Sequence, residues 1–169
     1  KVLVPAQLHP DGKRYLREHG LEVVELMRAN AENILKNGKG AAALILFLDP
    51  VGENVISQMP NLKIIARHGV GYDSVDLDAS ANHGVWVTNT PNANAATVAE
   101  TTLAEIMDVS KHITKNSMEM RDGNFAYPLA HLGFDLEGKT LGILGYGKIG
   151  RLVAKKASAL GMRILIHNR

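Results

Sequence analysis

Short apolar runs alternate with polar-rich stretches of helical spacing through the first half of the chain. The runs predict strands at Val2–Val4, Glu22–Leu26, Ala42–Leu48, Lys63–Ala66 and Val85–Thr88. The stretches between them predict helices near Pro10–His19, Asn30–Lys36, Glu53–Gln58 and Val75–His83. This alternation, with Ala42–Leu48 apolar throughout like a strand buried on both faces, predicts a parallel, doubly wound α/β sheet.

A turn-rich segment, Asn89–Asn94, interrupts this alternation and is the expected domain boundary, with domains at 1–94 and 95–169. The second domain ends on two strand patterns with a helix between them, the last strand being Arg163–His167. A complete dinucleotide fold has six strands. The missing strands would need about 120 further residues, at roughly 30 per strand–helix unit. We therefore expect the chain to be part of a longer protein.

A long helix is expected directly after the boundary. Thr97 and Glu100 have the spacing of a capping box, in which the threonine caps the helix and the glutamate reaches back. The predicted helix runs from Thr97 to about Met120, and an irregular stretch leads from there to Gly138.

A glycine-rich turn between a strand pattern and a helix-forming segment, Arg151–Leu160, is the most informative motif. Its spacing, Gly-x-Gly-x-x-Gly in a strand–turn–helix context, is typical of dinucleotide-binding loops. The first glycine permits the tight turn, the second lets the backbone approach a diphosphate, and the third lets the helix pack on the strand. The helix N-terminus attracts the phosphates. The residues predicted to bind the cofactor here are Gly145, Gly147, Lys148, Ile149 and Gly150.

The end of the last strand bears on which cofactor binds. Asn168 lies 18 residues after Gly150, where NAD-binding enzymes usually carry Asp or Glu on the ribose hydroxyls. Asn168 removes the repulsion of a 2′-phosphate, and Arg169 adds a charged donor, a contact of about 1.5–3 kcal/mol. The cofactor is therefore expected to be NADP or NAD, with NADP favoured. In the alternative, Asn168 binds the NAD ribose while Arg169 stays in solvent.

Composition and charge exclude several classes of protein. With 46% hydrophobic and 21% charged residues the chain is globular in composition. A net charge of +2 with dispersed lysines and arginines argues against nucleic-acid and membrane-surface binding. No cysteine is present, so thiolate metal sites and disulfides are excluded, and we expect a cytoplasmic protein without a signal peptide. The seven histidines show no metal-ligand spacing, so no metal is expected.

Three blocks give the chain a resemblance to a known family. They are Arg67–Asp76 (RHGVGYDSVD), Asn92–Glu100 (NANAATVAE) and Leu136–Gly150 (LEGKTLGILGYGKIG). In this order they resemble the D-isomer-specific 2-hydroxyacid dehydrogenases, which include phosphoglycerate, glycerate, hydroxypyruvate, D-lactate and formate dehydrogenases. The resemblance implies a flavodoxin-like substrate-binding domain followed by the first half of a Rossmann NAD(P)-binding domain, with the active site in the cleft between them.

The resemblance also implies roles for particular residues. The loop Gly69–Gly71 would direct the amides of Val70 and Gly71 at the substrate carboxylate, with Val70 also meeting the nicotinamide end of the cofactor. Arg67 is a candidate for a distal anion of the substrate, and Thr101 for a cofactor contact. In the alternative, the loop is a plain strand–helix turn capped by Asp73 or Ser74, and Arg67 is a surface residue.

The substrate is expected to be a short 2-oxoacid or D-2-hydroxyacid. Relatives that handle phosphoglycerate tend to carry a basic residue near the end of the third strand. Here that segment contains Phe47 and Leu48, which suit a smaller or more apolar substituent, and Asp49, which disfavours a phosphate. Glyoxylate, hydroxypyruvate or another short 2-oxoacid fits at least as well. Phosphoglycerate is not excluded.

The family's catalytic residues are an Arg, a Glu and a His, all expected beyond Arg169, so no catalytic residue is assigned in this chain. Hydride transfer to the substrate follows from the resemblance, as does a homodimer joined through the nucleotide domains. Trp86 and the methionines are interpreted as core or interface residues. The alternative functions are a catalytically inactive, NAD(H)-sensing corepressor of the same fold and a truncated structural module.

Overall fold

The computed structural model describes residues 1–169 and divides them into two compact units, Lys1–Ala93 and Asn94–Arg169. The strands are β1 (Val2–Pro5), β2 (Val23–Leu26), β3 (Ala43–Leu46), β4 (Ile64–Arg67), β5 (Trp86–Thr88), β6 (Thr140–Leu144) and β7 (Arg163–His167). The helices are α1 (Pro10–Glu18), α2 (Ala31–Asn37), α3 (Glu53–Ile56), α4 (Leu77–Asn82), α5 (Ala95–Lys111), α6 (Ile113–Arg121), α7 (Tyr127–Ala130) and α8 (Lys148–Ala159). None of the helices has the length and apolar character needed to cross a membrane.

The first unit is a five-stranded parallel sheet in the order β2-β1-β3-β4-β5. This is the flavodoxin-like order, whose switch point lies between β1 and β3. The predicted parallel, doubly wound sheet is therefore confirmed. All strand carboxyl ends meet at one edge of such a sheet, which is where open α/β sheets bind ligands.

The core of the first unit is built from the central strands. Leu3, Leu44 and Ile65, on neighbouring strands, are fully buried, together with side chains from α2 and α3. The run predicted at Ala42–Leu48 is apolar because both faces of β3 are covered: Leu44 and Leu46 lie in this core, and Ala43 and Ile45 pack against a second apolar cluster. Truncation of such a side chain to alanine costs about 2–5 kcal/mol.

The second unit contains two parallel strands, β6 and β7, connected by α8. The buried residues Ala99 of α5, Ile143 of β6, and Val153 and Ala154 of α8 form its core. This strand–helix–strand arrangement is that of the first part of a Rossmann domain, as the sequence predicts.

The long helix predicted from Thr97 differs in the structure in two ways. The helix begins at Ala95, so Thr97 lies inside it and caps nothing, and the carboxylate of Glu100 contacts Lys156 Nζ at 3.2 Å instead. The capping-box prediction is wrong because the preceding alanines, good helix formers, extend the helix by two residues.

The second difference is a break at His112, whose φ of 53° is left-handed and separates α5 from α6. The carboxylate of Asp108 accepts the amide of Thr114 at 2.6 Å, an N-terminal contact that starts the new helix. The predicted single helix to Met120 is therefore two helices.

Two smaller expectations also change. Asp76, and neither Asp73 nor Ser74, caps α4, with its carboxylate accepting the amide of Ala79 at 2.9 Å. Trp86 is 76% exposed on the edge strand β5, so it is not a core residue. Strand propensity places an aromatic residue on the edge, but burial needs a covering element, which a local pattern does not reveal.

Candidate functional site

The loop after β4 lies at the carboxyl edge of the sheet in the first unit. Gly69 has φ +150°, and a Cβ built there would come within 1.5 Å of Arg67 Nη1. Only glycine therefore fits at this position while the arginine keeps its place. The amides of the next two residues, Val70 and Gly71, have no acceptor within the protein. The loop thus presents two adjacent donors in the position expected for an anion.

The end of β5 holds this loop. The amide of Thr90 donates to the carbonyl of Gly69 at 2.8 Å, and Asn89 Nδ2 donates to the carbonyl of Val70 at 2.7 Å. The sequence pattern places Asn89 at the domain boundary and gives it no role in a site. The available signal was its place directly after a strand, at the edge where the loop after the neighbouring strand also lies.

Arg67 is engaged with the same loop. Its Nη1 donates to the carbonyl of His68, and its Nε is buried without a hydrogen-bond partner. The ring of His68 meets the ring of Phe47 edge to face, with centroids 5.0 Å apart. The ends of β3 and β4 therefore carry an aromatic pair, and the guanidinium of Arg67 is already partly bonded to its own loop. Leu48 beside them is 76% exposed.

The glycine loop in the second unit has the geometry expected from its sequence. Gly145 has φ +94°, and its amide donates to the carbonyl of His167 at 2.8 Å. A Cβ at Gly150 would lie 2.3 Å from the Gly145 carbonyl oxygen, so the third glycine is required by close packing. A Cβ at Gly147, in contrast, would meet nothing within 4 Å. The second glycine therefore faces open space, which a diphosphate can approach.

The same loop offers donors for an anion. The amides of Gly147, the N-cap of α8, and of Ile149 in its first turn have no acceptor within the protein. The helix N-terminus adds a partial positive charge. These observations fit the diphosphate of a dinucleotide, the group expected at such a loop.

Asn168 is tied to the glycine loop. Its Oδ1 accepts the amide of Tyr146 at 2.9 Å, while its Nδ2 donates to the carbonyl of Arg169 at 2.9 Å. Arg151 Nε contacts the carbonyl of the same tyrosine at 3.1 Å, so two side chains grip one residue of the loop. Tyr146 and Arg151 thus form hydrogen bonds that link the predicted cofactor residues, and no sequence pattern assigns them this role.

A groove of about 330 Å³ runs beside β6 to the glycine loop. It is lined in part by Thr102, Leu144, Gly145 and Ile149. Thr102 lines this groove, whereas the hydroxyl of Thr101 donates to the carbonyl of Thr97 at 3.0 Å. The cofactor contact of Thr101 stays a prediction.

The predicted site residues form two sets. In the first unit, Arg67 ends β4, and Val70 and Gly71 lie in the loop that follows. In the second unit, the glycine loop meets Asn168. No group of three or more His, Asp or Glu side chains is arranged to hold a metal ion.

Comparison with known proteins gives one family. The family model described as D-isomer specific 2-hydroxyacid dehydrogenase, catalytic domain, matches residues 2–162. A D-3-phosphoglycerate dehydrogenase of Pongo abelii is 37% identical over 166 residues, which cover 98% of this chain and 31% of the relative. A glyoxylate reductase of Thermococcus litoralis is 32% identical over 178 residues, covering 100% of this chain and 54% of the relative.

The fold also matches a solved structure, the D-lactate dehydrogenase of Aquifex aeolicus in complex with NAD and lactic acid. The TM-score is 0.84 at 29% sequence identity, over 99% of this chain and 51% of that one. The chain spans between about a third and a half of the length of these relatives.

Proposed function

Because the chain belongs to the D-isomer-specific 2-hydroxyacid dehydrogenase family, we propose that the full-length protein transfers hydride between a nicotinamide cofactor and a small D-2-hydroxyacid or 2-oxoacid. Residues 1–94 would be the N-terminal part of the substrate-binding domain, and 95–169 the first part of the NAD(P)-binding domain. The observation that carries the proposal is the glycine loop, with open space at Gly147 and the amides of Gly147 and Ile149 without an acceptor in the protein.

Each loop has one task in this proposal. The amides of Val70 and Gly71 bind the carboxylate of the substrate, and those of Gly147 and Ile149 bind the cofactor diphosphate. The nicotinamide supplies or accepts the hydride, while the protein positions the reactants. The Arg, Glu and His that polarise the 2-oxoacid and exchange its proton are expected beyond Arg169.

A compact, uncharged substituent on the substrate is favoured. Phe47 and His68 form an aromatic surface at the carboxyl edge of the sheet, and Arg67 already donates to its own loop. A distal phosphate would have to compete with the His68 carbonyl for that guanidinium. Glyoxylate or hydroxypyruvate therefore suits these residues better than phosphohydroxypyruvate does.

NADP is the favoured cofactor, because Asn168 is neutral and Arg169 follows it at the end of β7. Asn168→Asp tests this preference, because it keeps the acceptor for the Tyr146 amide, adds a negative charge and gives up only the bond from Nδ2 to the Arg169 carbonyl. The affinity for NADPH relative to NADH should fall by about 10- to 100-fold, the worth of a contact to a charged group. An unchanged NADPH-to-NADH ratio would contradict the preference.

A homodimer joined through the second unit is part of the proposal. Exposed apolar side chains are concentrated between the second half of α5 and the segment before β6. The most exposed of them are Val109, Phe125, Leu129 and Leu132, each at least 68% accessible. Apolar surface of this kind usually marks a protein interface.

Turnover tests the proposal as a whole. The full-length protein should oxidise NADPH or NADH in the presence of glyoxylate or hydroxypyruvate, and phosphohydroxypyruvate should be the poorer substrate. Cofactor binding without turnover on any of the three would favour a non-catalytic dinucleotide-binding protein instead.

A further inference from the structure

The loop after β4 is bound to the rest of the first unit through its carbonyl groups. Thr90 N holds the Gly69 carbonyl at 2.8 Å, and Asn89 Nδ2 holds the Val70 carbonyl at 2.7 Å. Both donors come directly after β5, the parallel neighbour of β4. The two residues after β5 therefore bind two successive peptide groups of the loop after β4.

This grip fixes the direction of the free amides. In a planar trans peptide group, the carbonyl and the N–H that follows it point in opposite directions. The Gly69 carbonyl thus sets the direction of the Val70 N–H, and the Val70 carbonyl sets that of the Gly71 N–H. Neither N–H has an acceptor in the protein, so both stay available on the side opposite Asn89 and Thr90.

The loop needs such a clamp because of its composition. Two of its three residues are glycines, which have more backbone freedom to lose than any other residue. Donors that are already oriented bind an anion without first giving up that freedom. Thr90 contributes a main-chain N–H, which only a substitution by proline would remove. The bond from Asn89 comes from a side chain, so a substitution of Asn89 can test whether this bond orients the loop.

We propose that Asn89 is a positioning residue: its side-chain amide fixes the Val70 carbonyl and thereby holds the Gly71 N–H in the direction that binds the carboxylate of the 2-oxoacid. This inference rests on the proposed function, in which that loop receives the substrate. Asn89 itself does not touch the substrate.

The test compares Asn89→Leu with Asn82→Leu in the full-length protein. Leucine has nearly the size of asparagine but no donor, and Asn82 is an exposed residue at the end of α4 without a hydrogen bond from its side chain. Asn89→Leu should raise KM for the 2-oxoacid by about 10- to 100-fold, since an oriented contact to a charged group is lost, and leave KM for the cofactor within about twofold. Asn82→Leu should change neither KM.

An unchanged KM for the 2-oxoacid, or an equal rise in both KM values, would overturn the assignment. Hydrogen exchange of the Thr90 amide reports on the clamp without any turnover, because that N–H is bonded to the Gly69 carbonyl. It should exchange about 10-fold faster in Asn89→Leu if the loop loosens. Unchanged exchange would overturn the clamp. A wild-type protein without turnover would overturn only the proposed function, and exchange at Thr90 would still decide the clamp.

Discussion

At the scale of single residues, the three glycines of the dinucleotide loop do different things, and their substitutions separate folding from binding. Gly150 is held by packing, with the Gly145 carbonyl 2.3 Å from where a Cβ would lie, whereas Gly147 faces open space. The sequence motif does not distinguish the three glycines from one another. The surroundings decide which of them the fold requires and which the ligand requires.

Gly150→Ala is expected to lower both stability and dinucleotide affinity. The added methyl group must displace the turn, which costs about 1–3 kcal/mol as an overpacked site. Urea unfolding and cofactor titration of the full-length protein measure the two effects. Wild-type stability in this variant would contradict the conclusion that close packing requires the third glycine.

Gly147→Ala should weaken dinucleotide binding at least about 10-fold while costing about 1 kcal/mol or less in stability, the range of an N-cap change. The methyl group would meet no protein atom and would occupy the open space that we propose the cofactor diphosphate approaches. Gly12→Ala in α1 serves as the control, because its Cβ would make only ordinary contacts with Leu8 and alanine favours a helix. That variant should bind the cofactor normally.

At the scale of secondary-structure elements, the break between α5 and α6 is a strained point. His112 adopts φ 53°, a left-handed conformation that costs a non-glycine residue roughly 1–2 kcal/mol. His112→Gly should therefore raise the free energy of unfolding by up to about 1 kcal/mol, part of the gain being lost to the unfolded chain. Lys111→Gly, inside the last turn of α5, should lower it. Thermal unfolding of both variants decides the matter, and a less stable His112→Gly would show that the residue is not strained.

The pairing of α1 with β2 predicts a dependence of stability on pH. Hydrogen bonds from Lys13 Nζ, at 2.7 Å, and Arg17, at 3.0 Å, lower the pKa of Glu25 below its ordinary value of 4.5. A lowered carboxyl pKa stabilises the fold above the unfolded-state pKa, and the stabilisation disappears as pH falls through the folded-state value. Glu25→Gln should thus be less stable than wild type at pH 7, with the difference shrinking below pH 4.5. A difference that does not change between pH 7 and pH 3 would contradict this.

Local patterns predicted the elements well where burial produces a periodic sequence. The sequence of β3 is apolar because both of its faces are covered by other side chains. The glycine turn is recognisable because Gly145 has a positive φ that favours glycine. The break at His112 and the exposure of Trp86 depend on contacts distant in sequence. No window around either residue contains that information.

In both loops of the candidate site, the sequence predicts some of the residues but not the hydrogen bonds that hold them. The sequence points to the amides of Val70 and Gly71 through a resemblance. The structure adds a bond that no local pattern contains, from Asn89 Nδ2 to the Val70 carbonyl, 19 residues away. The sequence predicts Asn168 as a cofactor residue from its position after a strand. Its bond to the Tyr146 amide forms only in the folded turn, so the sequence does not predict it. Pairings across a sheet edge follow from topology, which a linear motif does not specify.

At the scale of the whole molecule, the apolar surface of the second unit predicts association. Leu129→Arg should shift the full-length protein from dimer to monomer in sedimentation velocity, because a charge would be buried in the proposed interface. Met27→Arg is the matched control: Met27 is as exposed as Leu129, at 78% against 79%, but lies in the first unit. A Leu129→Arg variant that stays dimeric would place the interface elsewhere.

The most direct measurement of the central claim follows a labelled hydride. The full-length protein would be mixed with NADPH or NADH deuterated at the nicotinamide C4 and with glyoxylate or hydroxypyruvate, and the product analysed by mass spectrometry and chiral chromatography. The account predicts deuterium on C2 of the product, a D-hydroxyacid from hydroxypyruvate and faster transfer from NADPH than from NADH. A protein that binds the cofactor through its glycine loop but transfers no deuterium to any 2-oxoacid would contradict the claim that it is a dehydrogenase.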